Sequence, residues 1–131
     1  MELPLSLQYG EEVALPPRSR IYAPGDPLGE KPVFYIVAGL VKLEFPLGGP
    51  RFPLYFTPDS IFGLVETAAG GNRLCWAQAM EKTILYTWDT ESFFMAAGVS
   101  WELAQNAITG MTRILRILNA EFGERVGHGG I

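Results

Sequence analysis

The chain has 131 residues, 48% of them apolar and 18% charged, so it can bury one ordinary core and is too apolar for a disordered tail. Its formal net charge of -4 argues against nucleic acid or an anionic membrane as the main partner, because neither attracts an acidic surface. With one cysteine (Cys75), no signal-peptide pattern at the start and an apolar run at 33–41 far too short to cross a bilayer, a cytoplasmic location and no membrane partner are expected.

Short apolar runs separated by Gly and Pro fill the first two thirds of the chain. Residues 12–15, 21–22, 33–37, 40–45, 51–56, 75–80 and 83–88 read as strands. Pro24-Gly25-Asp26 and Pro58-Asp59 supply turn chemistry, and Gly48-Gly49 reads as a hairpin tip. Many short strands with frequent turns predict a sandwich or barrel.

The last third changes character. Asp89 or Thr90 can cap a short helix over 91–97 that stops at Gly98. Ser100 can cap a second helix from Trp101 to about Val126, ended by Gly127, which at 1.5 Å per residue is roughly 39 Å long. Along it Trp101, Ala104, Ile108, Met111, Leu115, Leu118 and Phe122 recur at alternating steps of three and four, the pattern of a heptad seam. Leu103, Ala107, Gly110, Ile114 and Ile117 form a second stripe. Two stripes predict two partners: the chain's own strands and the same helix of a second copy, giving a homodimer through Ile108, Met111, Leu115, Leu118 and Phe122. One wide core-facing stripe is the alternative.

The ordered set Tyr22-Ala23-Pro24-Gly25-Asp26, Phe34 to Lys42 with Gly39, Pro58-Asp59-Ser60-Ile61-Phe62-Gly63 and Arg73-Leu74-Cys75-Trp76-Ala77-Gln78-Ala79 resembles the cyclic-nucleotide-binding domain. It is most similar to bacterial regulators of the catabolite activator (cAMP receptor)/FNR type, and the resemblance continues into the long helix. It implies a mainly β chain: a double-stranded β-helix (jelly-roll), RmlC-like barrel over 1–99 and a long C-terminal dimerisation helix over 100–126. It also implies that Gly63 opens a phosphate-binding cassette, that a short helix follows, and that Arg73 meets a cyclic phosphate. The ribose acceptor that normally follows the glycine is a glutamate; here Leu64 stands there, and Glu66 is expected to point elsewhere. Near the base, the resemblance places Leu118 and Asn119 where the cAMP receptor has two hydroxyl side chains. The implied effector site is thus Gly63, Leu64, Arg73, Leu74 and Asn119, with a phosphate-bearing small molecule as the effector class and no cofactor assigned. Losing the glutamate contact costs about 1.5–3 kcal/mol, or roughly tenfold to a hundredfold in affinity, so degenerate cyclic-nucleotide binding is expected. For Arg73, a structural ion pair or a solvated loop arginine is the alternative.

Catalysis is not expected. The one histidine, His128, lies in the glycine-rich tail, so neither a metal-dependent cupin-type centre nor a Ser-His-Asp or Cys-His arrangement has its parts. Cys75 sits in an apolar strand pattern and reads as buried and inert. Gly70-Gly71-Asn72 lacks a following GK[ST] and reads as the loop that ends the cassette. Arg113, Arg116 and Arg125 read as a solvated helix face. The chain reaches Ile131 without two further helices, so no helix-turn-helix and no specific DNA binding are expected. These readings point to a non-catalytic, dimeric sensor domain acting through a protein partner or a helix movement. A small-molecule carrier or enzyme on the same barrel is the alternative.

Overall fold

The computed structural model describes the backbone of residues 10–46 and 52–128 and the side chains of 10–46 and 53–119. The expected hairpin tip at Gly48-Gly49 lies outside the described residues. In chain order the elements are β1 (Glu11–Leu15), β2 (Arg20–Tyr22), β3 (Val33–Ala38), β4 (Val41–Phe45), β5 (Phe52–Phe56), β6 (Ile61–Phe62), α1 (Leu64–Ala69), β7 (Trp76–Ala79), β8 (Thr83–Trp88), α2 (Thr90–Val99) and α3 (Trp101–His128).

The strands form two four-stranded antiparallel sheets, ordered β1-β8-β3-β6 and β2-β7-β4-β5. The partners β1–β8, β2–β7, β3–β6 and β4–β5 are those of one long hairpin folded over on itself, the jelly-roll pairing. The expected barrel is not closed: among the described residues no ladder joins one sheet to the other. One cause is visible at the β1–β2 corner, where Pro16 and Pro17 carry no amide hydrogen with which to continue a ladder.

Alternation sets the inward faces. In β4, Val41, Leu43 and Phe45 are buried, while Lys42 and Glu44 pair with each other at 2.7 Å on the other face. With Ile36, Phe56, Phe62, Ala77 and Leu85 they form the core between the sheets. A second core gathers Val33, Ile61, Trp88 and Tyr86 beneath the helices. Burying each such large side chain stabilises the fold by about 1.5–3 kcal/mol. This second core explains why β8 buries Tyr86, Thr87 and Trp88 in succession: helices cover the face that would otherwise meet water.

Caps set where the helices begin. The Asp89 carboxylate accepts from the Ser92 amide at 2.7 Å, and that bond lowers its pKa. Ser100 Oγ accepts from the Leu103 amide at 3.1 Å. Contrary to expectation, α2 runs through Gly98 to Val99, and the extended Ser100 (φ -137°) ends it. Strand β6 was not expected, since two residues are too few to show a period.

Helix α3 uses its two stripes differently. Leu103, Ala107, Gly110 and Ile114 are buried, and Ile117 packs on the first core. Trp101, Ile108 and Leu115 are 73%, 56% and 51% exposed. A single wide core-facing stripe is therefore overturned. The seam is not wholly free, because Met111 and Leu118 are half-buried against the two cores. The side chain of Phe122 lies outside the described residues.

Gly110 marks the closest approach of α3 to the sheets: a Cβ there would overlap the Ile61 carbonyl oxygen. Alanine normally gains about 0.8–1 kcal/mol over glycine inside a helix, but overpacking costs about 1–3 kcal/mol. Gly110→Ala is therefore expected to lower the thermal midpoint. Gly98→Ala, whose Cβ would meet nothing within 4 Å, is expected to leave it unchanged or raise it. Calorimetric scans of both variants check the contrast, and a stabilised Gly110→Ala would show that the contact yields.

Candidate functional site

The site is built where the turn after β2, the start of α1 and the loop before β7 meet. The Asp26 carboxylate accepts from the Ala23 amide at 2.9 Å and closes the turn. That turn grips residue 73 by its backbone: Gly25 N donates to Arg73 O at 2.8 Å, and Arg73 N donates to Asp26 O at 2.9 Å. Gly63 caps α1 with φ 94°, and a Cβ on it would overlap the Pro32 carbonyl oxygen and stand 3.1 Å from Arg73 Nη1. Both the positive φ and the missing space require glycine.

Arg73 is 3% exposed. Its Nη2 donates to the Pro32 carbonyl at 2.9 Å and its Nη1 to the Gly63 carbonyl at 3.5 Å. The guanidinium lies over the Tyr22 ring, 4.1 Å from the centroid, and 5.5 Å from that of Phe34. Its counter-charge is Glu66, also 3% exposed, whose Oε1 stands 3.8 Å from Nη1. At that separation the contact is coulombic. The other oxygen, Oε2, accepts from the Leu74 amide at 3.2 Å. Glu66 thus points to another side of α1 than Leu64, and that side faces Arg73. Removing one partner of a buried ion pair costs about 3–5 kcal/mol, so the pair holds α1 and residues 73–74 together.

Two more polar groups sit here. The Tyr22 hydroxyl is buried with no hydrogen-bond partner at bonding geometry. Burial above all, then the neighbouring Cys75 and Glu66, hold its pKa well above the usual tyrosine value. Burial and the Glu66 charge push the Cys75 thiol up to about 12.

Of the five residues implied by resemblance, the structure brings together Gly63 and Arg73. Leu64 is buried in the second core with Phe93 and Leu103. Leu74 is 44% exposed and enters the cage through its amide alone. Asn119 is exposed on α3. Sequence reasoning missed Glu66 and Tyr22; a charge of opposite sign within the cassette was the one available signal for Glu66. Arg113 is also less free than a solvated helix face predicts: its Nη2 donates to the Tyr55 carbonyl at 2.7 Å and its guanidinium lies 4.4 Å from the Phe56 centroid.

Elsewhere, an apolar groove of about 600 Å³ runs between α1, α2 and α3, walled by Leu64, Phe93, Phe94, Ile108 and Met111. A smaller cleft of about 180 Å³ lies between Asp59, Ser60, Asn106 and Arg113. Among the described residues, no group of three or more His, Cys, Asp or Glu could hold a metal ion, and no helix is long and apolar enough to cross a membrane.

No protein-family model matches the chain, and no curated protein matches it in sequence. Solved structures do match. The Thermus thermophilus catabolite activator protein superposes with a TM-score of 0.70 at 27% identity, over 93% of this chain and 57% of that one. The heme domain of CooA from Carboxydothermus hydrogenoformans gives 0.75 at 17% identity, over 95% and 86%. A cAMP-binding acyltransferase from Mycobacterium smegmatis gives 0.65 at 19% identity, over 74% and 31%. The chain has the fold of a cyclic-nucleotide-binding domain. It spans a little over half the length of the Thermus thermophilus protein. These neighbours include a heme domain and a cAMP-binding enzyme, so the fold leaves the ligand open and residues must decide it. In this chain Gly63 and Arg73 are both present, and the arginine is already paired within the chain.

The thiol gives a direct check of the cage. An unfolded cysteine ionises near its ordinary value of 9.0, the folded Cys75 near 12. Ionisation between those values is open mainly to the unfolded chain, so stability is full below pH 9 and falls as pH rises toward 12. Iodoacetamide at pH 8 is expected to leave Cys75 unmodified in the native protein and to alkylate it in urea, as read by intact mass. Rapid native alkylation would mean that the cage opens.

Proposed function

We propose that this chain is a non-catalytic regulatory sensor domain in which cyclic-nucleotide binding is degenerate, and whose output runs through α3 to a second copy of the chain. One observation carries the reading: the Arg73 guanidinium is enclosed by the Pro32 and Gly63 carbonyls, the Tyr22 ring and the Glu66 carboxylate. A cyclic phosphate has to displace Glu66 to reach it. Leu64, in the place of the ribose acceptor, is buried among apolar side chains and offers no hydrogen bond. Specific DNA recognition is no part of this reading.

Isothermal titration with cyclic AMP and cyclic GMP tests the ligand half. The expected result is no saturable binding at ligand concentrations approaching about 1 mM, the regime of weak contacts worth about 4 kcal/mol. A low-micromolar dissociation constant for either nucleotide, abolished by Arg73→Ala, would overturn it.

The dimer half is supported by the exposed seam. Trp101, Ile108 and Leu115 present an apolar stripe on one chain that a second copy of the helix would cover. Because Leu115 is half exposed, Leu115→Glu leaves the monomer's own cores intact while placing a charge in the seam. Analytical ultracentrifugation is expected to show a dimer for the natural chain and a monomer for the variant. A dimer that survives the change rejects this interface.

A further inference from the structure

The cage encloses the Arg73 cation and already supplies it with an anion. Two carbonyl acceptors and an aromatic face are arranged about the Arg73 guanidinium, and the one anion that meets it comes from the chain itself. Glu66 reaches it from the first turn of α1, a helix whose start is fixed by Gly63. Its remaining oxygen is taken by the Leu74 amide, next to Arg73 in the chain. The carboxylate therefore faces the Arg73 charge at 3.8 Å and accepts from the backbone amide of the next residue, a cation and an amide being groups that also hold a phosphate oxygen. Arg73 and Glu66 are each 3% exposed, so bulk counter-ions do not share this role. The cage is not perfectly satisfied: the contact with Arg73 is 3.8 Å long and the Tyr22 hydroxyl beside it is buried without a partner. A fully optimised structural pair would leave neither.

We propose that Glu66 is a built-in surrogate anion that keeps the arginine site of this domain closed, and that removing its negative charge reopens the site to a small phosphate-bearing ligand. The proposal rests on the degenerate-sensor reading above and adds its cause. The lost affinity then stems from competition by a tethered carboxylate as much as from the missing ribose acceptor at Leu64. A tethered anion acts at a high effective concentration and excludes a free one. In Glu66→Gln the side chain keeps its size and its acceptor for the Leu74 amide, but it no longer neutralises Arg73.

The test compares the natural chain, Glu66→Gln and Glu66→Gln/Arg73→Ala by calorimetric titration with inorganic phosphate and with cyclic AMP. Near-ultraviolet circular dichroism confirms the fold of each variant. Glu66→Gln is expected to bind phosphate or cyclic AMP at least tenfold more tightly than the natural chain, and the double variant to lose that gain. A folded Glu66→Gln that binds neither probe better than the natural chain overturns the proposal and leaves the degenerate-sensor reading standing. Tight cyclic AMP binding by the natural chain defeats that reading itself. If Glu66→Gln does not fold, Glu66→Asp serves instead. It keeps the charge but withdraws it by one methylene, so a several-fold gain in phosphate affinity supports the surrogate role and an unchanged affinity overturns it.

Discussion

A guanidinium almost sealed from water is the constraint around which the cassette is arranged. An isolated charge in an apolar medium is prohibitively costly, so Arg73 must be surrounded by acceptors and a counter-charge. That requirement accounts for several otherwise unrelated features. Pro32 and Gly63 turn their carbonyls inward, Tyr22 lays its ring against the cation, and the first turn of α1 carries an acid that faces the core. It also accounts for the 22–26 turn, whose backbone bonds fix residue 73 on both its amide and its carbonyl. The arrangement is not free of cost. The Tyr22 hydroxyl is buried without a partner, and such a group costs about 1–3 kcal/mol.

Much of the β framework was legible because half-buried strands alternate. Val41-Lys42-Leu43-Glu44-Phe45 is the clearest case, while 83–88 coincides with β8 as a largely apolar run rather than by alternation. Short or composite elements were less readable. β6 is two residues long and exists because Phe34 and Tyr35 pair with it, a tertiary fact with no local signature. Gly98 looked like a helix stop, yet a glycine ends a helix chiefly by adopting a left-handed conformation, and among the described residues only Gly70 does so after a helix.

The candidate site was half legible for a related reason. Gly63 and Arg73 stand out by type and spacing, since a positive φ and a lone cation near it are visible as residue choices. The side to which Glu66 points was not legible, because it depends on where α1 starts and how it packs on α3. Both are set by the Gly63 backbone and by the packing of Leu64 into the helical core. Leu64 and Glu66, two residues apart on a helix, point to different sides. One goes to the apolar core and the other to the cation, and which side meets the cation is not readable from the spacing. The core-facing stripe of α3 was legible, whereas the partial burial of Met111 and Leu118 in the other stripe was not, because it depends on how closely Gly110 lets the helix approach.

The contact at Gly110 also sets leverage. Ile61, which α3 touches there, lies two residues before the glycine that opens the cassette. From residue 110 the helix extends about 13 Å toward Trp101 and about 27 Å toward His128 at 1.5 Å per residue. A rocking of α3 on this fulcrum moves its far end about twice as far as its near end, and in the opposite direction. A shift of β6 small enough to be absorbed by the cassette is in this way magnified at the end of the helix farthest from it.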